Sequence, residues 1–272
     1  MERARVDEVE LEYALRGAGD PVVLIHWGVG VVWAQPLLDE PALAAGYALL
    51  TYHRAGFAGS TRLQGSVGIA DHAMHCHMLM QRIGIERAHV VGHSSSAVIA
   101  LQLALDFPDS VQTLVLMESA RPAPQTEIQA RFVRDFVGPA VERYRAGDRT
   151  GAVDTWCRGV FGPGYREPLE QGLPGAYDDA IAAADTFFTQ ELPAVQQWSF
   201  AEEDARRVTQ PVLAVLGAHT AQTFAERREL LLAWLPNVEA FDLPSATHML
   251  HAQNPRGMAE GLADFFVRHA PS

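Results

Sequence analysis

The rhythm of hydrophobic and polar positions changes near residue 20. From Val6 to Leu15 the chain reads Val-Asp-Glu-Val-Glu-Leu-Glu-Tyr-Ala-Leu, an alternation with the two-residue period of a strand that has one wet face. This stretch predicts an antiparallel hairpin arm that turns at Gly17 to Pro21. Beyond it the pattern becomes short, solid apolar runs at 22–25, 48–52, 88–91, 111–117, 212–216 and 238–243. Runs without polar alternation fit strands buried on both faces. Helical stretches separate most of them, so the chain predicts an α/β fold with a mostly parallel sheet flanked by helices. In such sheets the active site lies beyond the carboxyl ends of the strands.

One interval breaks the alternation of strand and helix. Between 121 and 207 there is no buried strand, only helical patterns at 128–144, 152–161 and 177–188 punctuated by Gly162-Pro163-Gly164 and Leu173-Pro174-Gly175. The interval is expected to be a helical lid inserted into a single core formed by 1–120 and 208–272. Its aromatic residues Phe132, Phe136, Trp156, Phe161, Phe187, Phe188 and Trp198 are expected first to pack the lid onto the sheet. Trp156, Phe187 and Trp198 are also candidates for substrate contact.

Composition narrows the class of partner. A formal net charge of −12 over 272 residues disfavours a nucleic acid, whose phosphates such a surface repels on average. No apolar run is long enough to span a bilayer, and the opening Met-Glu-Arg-Ala-Arg-Val lacks the apolar stretch of a secretory signal, so a cytoplasmic chain without a membrane partner is expected. Cys76 and Cys157 are too few for a disulfide framework. A small neutral or apolar molecule is the expected partner; nothing in the pattern sets an oligomeric state.

The chemistry begins at Val90-Val-Gly-His-Ser-Ser-Ser-Ala-Val-Ile-Ala100, where an apolar strand enters a small-residue turn and then a helix. Gly92 and Ser94 match the G-x-S-x-G nucleophile elbow, which holds a serine hydroxyl above the sheet; Ser96 stands at the last glycine. Three serines ahead of Ala-Val-Ile also suit a helix cap. A nucleophilic serine needs a base later in the chain, and His248, in Leu243-Pro-Ser-Ala-Thr-His-Met-Leu-His251 after the last strand, fits. His251 and His93 are expected to line the pocket.

With these motifs in order, the sequence resembles the α/β-hydrolase superfamily along nearly its whole length. Leu24-Ile-His-Trp-Gly28 is similar to the family's strand followed by H-G-x, which implies that the Gly28 backbone N–H is one oxyanion-hole donor and that Trp27, standing at the usual glycine, borders the pocket. The N–H of Ser95, after the nucleophile, is the implied second donor. Tyr52-His-Arg-Ala-Gly-Phe-Ala-Gly-Ser60 resembles the family's Y-D-x-R-G-x-G-x-S loop, with His53 in place of aspartate.

The acid departs from the common pattern. Most relatives carry an Asp in a G-x-x-D turn after the strand equivalent to 212–216, but here that turn is Gly217-Ala-His-Thr220. A carboxylate appears instead at Glu118, after the preceding strand, where haloalkane dehalogenases and the lactonases that open zearalenone carry theirs. The resemblance therefore implies a Ser94, His248 and Glu118 triad acting on an ester or lactone of a medium-sized hydrophobic molecule through an acyl-enzyme, with no cofactor. Pairing of Glu118 with Arg121 is the structural alternative, and a carboxylate introduced at Thr220 is expected to do little while Glu118 is in place. The cluster Asp71-His-Ala-Met-His-Cys-His77 supplies no second ligand pair, so no metal is expected. Two other functions stay open: C–C bond cleavage or cyclisation on the same triad, and ligand binding by a protein whose triad is vestigial.

Overall fold

A computed structural model describes residues 1–123 and 125–270. The alternating segment holds a turn as well as a strand: β1 (Glu2–Val6) and β2 (Val9–Gly17) pair antiparallel across Asp7-Glu8. β1 is hard to read because only Ala4 and Val6 of its residues are buried. The chain does turn after Gly17, but β2 and β3 (Asp20–Ile25) are not neighbours, because β4 (Tyr47–Tyr52) lies between them. With β5 (Ala88–His93), β6 (Val111–Met117), β7 (Val212–Gly217) and β8 (Val238–Leu243) the sheet has eight strands in the order β1-β2-β4-β3-β5-β6-β7-β8. From β4 onward every pairing is parallel.

β5 and β6 are buried at every position, as solid apolar runs require, and alternate residues feed different layers. Val90, Leu114 and Leu116 pack with the helices Ile69–Arg82 and Ser95–Asp106, whereas Val91, Val115 and Met117 pack with the last helix, Pro255–Arg268. β8 departs from the expectation of burial on both faces. As the sheet edge it keeps Glu239, Ala240, Phe241 and Asp242 at least partly exposed, which its own polar residues allow.

Among the described residues between β6 and β7, those that form regular structure are helical. The pattern at 128–144 is three pieces, Glu127–Phe132, a π-helical turn Val133–Val137 and Gly138–Arg145, while Arg149–Phe161 extends the pattern at 152–161. The pattern at 177–188 breaks into Ala176–Ala182, Ala184–Thr186 and a π-helical turn Phe187–Glu191. These helices bury Val153, Cys157, Leu169 and Phe188 together in a cluster that also takes in Val29 and Met249 from the sheet side. Among the described residues no helix is long and apolar enough to cross a membrane.

Candidate active site

Main-chain hydrogen bonds gather the ends of β5, β6 and β7 into one rim. Ser94 N–H donates to Met117 O (2.9 Å), Glu118 N–H to Val215 O (3.1 Å) and Ala120 N–H to Ser94 O (3.0 Å). Ser94 sits at φ 56°, ψ −115°, a strained conformation for a residue with a side chain. Its hydroxyl makes no capping bond to the helix Ser95–Asp106, so the three serines are not a cap. The approach of that helix to β5 explains Gly92: a Cβ there would lie 2.5 Å from Ser96 O and 2.7 Å from Ala97 Cα.

Ser96, the departure from the elbow motif, has a defined use. Its buried hydroxyl accepts from His93 N–H (2.8 Å) and reaches Ile25 O (2.7 Å) and His93 O (3.0 Å), tying the elbow to β3. Ser96→Gly is expected to lower stability by about 1–2 kcal/mol, because it strands a buried donor and acceptor. A urea midpoint equal to that of the wild type would show that the hydroxyl is redundant.

His248, 1% exposed, stands on the loop after β8, and its Nδ1 lies 2.6 Å from Glu118 Oε2. Glu118, 2% exposed, also accepts from Gly217 N–H (2.7 Å) and Thr220 Oγ1 (2.7 Å). Glu118 thus accepts three hydrogen bonds, with Nδ1 of His248 as one of the donors. Nε2 of His248 has no hydrogen-bond partner among the described residues, and the ring is stacked 3.9 Å from Phe224. Arg121 does not pair with Glu118: its guanidinium donates to Val195 O and Gln196 O. Asp242, another carboxylate near the end of the chain, turns outward to Arg228.

Gly28 and Ser95 border the same cavity as Ser94 and His248. Ser95 is the first residue of its helix, where a backbone N–H lacks an intrahelical acceptor. Gly28 is set by the peptide it shares with Trp27. The Trp27 carbonyl accepts from His26 Nδ1 (2.7 Å) and Arg54 Nη2 (3.3 Å), and His26 Nε2 accepts from Arg54 N–H (3.1 Å), which places the His26 proton on Nδ1. A planar trans peptide whose C=O is held one way points its N–H the other way. Arg54 is in turn clamped at both terminal nitrogens by the buried Glu191 of the π-helical turn Phe187–Glu191. A Cβ on Gly28 would meet the Phe187 ring at 2.8 Å, so only glycine fits under the insertion here.

The cavity wall is mainly apolar, with Trp27, Trp156, Phe161 and Phe187 around Ser94 and His248. Three expected pocket residues lie elsewhere. His93 is fully buried behind Trp27, 4.8 Å away and stacked, and does not line the cavity. Burial, then His248 and His251 beside it, hold its pKa well below the usual histidine range. His251 is bound to Trp33 O (2.6 Å) and packs edge-on against the Trp33 ring. Trp198 donates to Gln102 (2.6 Å) and stacks on Phe200, away from the cavity. His26, Arg54, Glu191 and Phe224 border the site without being singled out in the sequence, and Thr220, noted there only for standing where an Asp is usual, donates to Glu118. His26 and Arg54 stand within the quoted motifs; Glu191 and Phe224 are long-range neighbours with no local signal. His72, His75 and Cys76 are buried in their helix, and no group of three or more His, Cys, Asp or Glu among the described residues could hold a metal ion.

The model of the α/β-hydrolase fold family matches residues 20–255. The chain belongs to the α/β-hydrolase family. It is 37% identical over 239 residues to the Klebsiella pneumoniae (strain 342) protein named "Putative carbamate hydrolase RutD", with 85% of each chain covered. The protein of that name from Azorhizobium caulinodans is matched over 44% of its length at 32% identity. In solved structures the chain is similar to an esterase from Thermogutta terrifontis (TM-score 0.82, 16% identity, 99% of this chain and 100% of that one). It is also similar to the enol-lactonase from Burkholderia xenovorans LB400 (TM-score 0.80, 19% identity, 98% and 100%). At these identities the likeness to solved structures is one of fold.

Proposed function

We propose that the protein is a serine hydrolase that cleaves an ester or lactone of a medium-sized hydrophobic small molecule. The observation that carries the proposal is the 2.6 Å contact of Glu118 with His248 Nδ1, which leaves Nε2 unpartnered at a cavity that Ser94 also lines. Ser94 attacks the carbonyl, His248 Nε2 takes its proton and returns it to the leaving group, and Glu118 stabilises the imidazolium. Gly28 and Ser95 N–H receive the oxyanion. Water on the acyl-enzyme then releases the acid. The insertion at 121–207 acts as a lid that supplies Trp156, Phe161 and Phe187 to the acyl pocket. The name of the Klebsiella relative favours a second reading, in which the acyl group is a carbamate cleaved by the same steps.

A fluorophosphonate probe is expected to label one serine per chain, and none in Ser94→Ala, as read by intact-protein mass spectrometry. Label persisting in that variant on Ser95 or Ser96 would remove Ser94 as nucleophile. A panel of activated esters, lactones and aryl carbamates then ranks the acyl classes by kcat/KM.

A further inference from the structure

Next to the Ser94 cavity lies a second one that shares Ser94, Ala120, Trp156, Val160, Leu192 and Val195 with it. Its distinguishing wall holds two guanidinium groups, Arg121 and Arg227. Arg227, on the helix Gln222–Trp234 after β7, is 7% exposed. Only its Nη2 donates among the described residues, to the neutral Oε1 of Gln129 (2.7 Å), and its Nε is buried without a partner. The neighbouring carboxylates are committed: Glu118 to His248, Thr220 and Gly217, and Glu226 to Thr126 (2.8 Å). Among the described residues Arg121 donates only to main-chain carbonyls. The contrast with Arg54 is direct, since that buried guanidinium has Glu191 across both terminal nitrogens. Burial and then Arg121 bring the Arg227 pKa down to about 10, which still leaves it charged at neutral pH.

A buried cation without a counterion is costly, and one flanked by the half-buried guanidinium of Arg121 in a chain of net charge −12 needs a reason. We infer that Arg227, with Arg121 beside it, receives a carboxylate carried by the substrate at the end remote from the bond that Ser94 attacks. The substrates are then half-esters or lactones that bear a free carboxylate on an otherwise apolar chain. Arginine suits this task because its planar donor edge matches a carboxylate in two parallel hydrogen bonds. The apolar residues shared by the two cavities hold the chain between the two ends. This inference rests on the proposal that Ser94 is the nucleophile, and it replaces a neutral substrate with an anionic one.

Two measurements test it separately from that proposal. In the first, 4-nitrophenyl half-esters of glutaric, adipic and pimelic acid are compared with chains in which an isopropyl group replaces the free carboxylate. The wild type is expected to prefer the carboxylate in kcat/KM by on the order of 10²-fold or more at the best chain length. Arg227→Met is expected to shrink that ratio at least about tenfold, with Arg227→Lys between the two. Because the ratio is taken within one protein, a general loss of activity does not move it. In the second, calorimetry measures binding of adipate and pimelate to Ser94→Ala, which needs no turnover; saturable binding that Arg227→Met removes is expected. A wild-type ratio near one at every length, or dicarboxylate binding absent or unmoved by Arg227→Met, overturns the inference. Failure of every ester to turn over while dicarboxylates bind through Arg227 overturns the nucleophile and leaves the anion site standing.

Discussion

Replacing Glu118 with glutamine is expected to cut kcat by on the order of 10²- to 10⁴-fold while the protein stays folded. The amide retains an oxygen for Gly217 N–H, which Glu118 Oε1 now accepts at 2.7 Å. At the other end it presents an N–H₂ group where Oε2 takes bonds from Thr220 and His248. The Thr220 hydroxyl rotates to accept, but His248 Nδ1 must then become an acceptor, which moves its proton to Nε2. In the proposed mechanism Nε2 is the nitrogen that has to be bare to receive the proton of Ser94. The loss therefore comes from the wrong tautomer as well as from the missing charge, and it should appear in kcat and in the rate of fluorophosphonate labelling together. A variant with wild-type labelling and turnover would show that Glu118 does not serve His248.

Thr220 refines this prediction. A carboxylate at that position looks harmless from the sequence alone, but the hydroxyl donates to Glu118 at 2.7 Å. Thr220→Asp would set two carboxylates against each other in a buried site, where they hold a proton between them instead of accepting one from His248. The single variant is now expected to lose activity. In the Glu118→Gln background the same substitution is expected to recover part of it, because the second carboxylate is then the only one beside His248.

What could be read from the sequence and what could not divide along a physical line. The elbow, the β-strand runs and His248 are local: a buried strand needs consecutive apolar residues, and a strained turn needs small ones. Glu118 was accessible as well, since it stands directly after an unbroken apolar strand. The pocket wall was not. His93 stands beside Ser94 in the chain, but a strand end alternates its side chains between faces, so His93 turns into the layer behind Trp27. Trp198 and His251 are aromatic or polar residues near the site in sequence whose partners, Gln102 and Trp33, come from other elements. Arg227 is the clearest case. Within Ala225-Glu-Arg-Arg-Glu229 it reads as part of a solvated helix face, yet of that run only Glu229 is exposed, and Arg228 is half-buried with its guanidinium on Asp242. One position earlier on the helix, rotated by about 100°, Arg227 faces inward.

Acid is expected to unfold this protein in a range where ordinary soluble domains are still stable. Six histidines, His26, His72, His75, His89, His93 and His251, are buried, and in each burial is the first cause that lowers the pKa. For His89 and His251 the value falls to about 4. The sign follows from comparing the two states. In the unfolded chain these rings protonate near the usual histidine pKa of about 6.5, whereas in the folded protein they stay neutral to well below it. Their stabilising effect is complete above that value and is lost as the pH falls through it, at up to about 1.4 kcal/mol per pH unit for each proton taken up on unfolding. With several rings acting together, the loss by about pH 4.5 reaches the order of a typical total stability of 5–15 kcal/mol. Urea unfolding followed by circular dichroism should show a midpoint that drops steeply from neutral pH to about pH 5, with a slope reporting more than two protons. A midpoint that stays level over that interval would mean these rings are solvated or charged in the native state. The measurement also guards the reading of the active site. His93 lies 4.7 Å from His248, and a cation there would oppose the imidazolium of the proposed mechanism. Keeping His93 neutral therefore favours both the fold and the proposed reaction, and any activity lost together with the helical signal at low pH is to be assigned to unfolding.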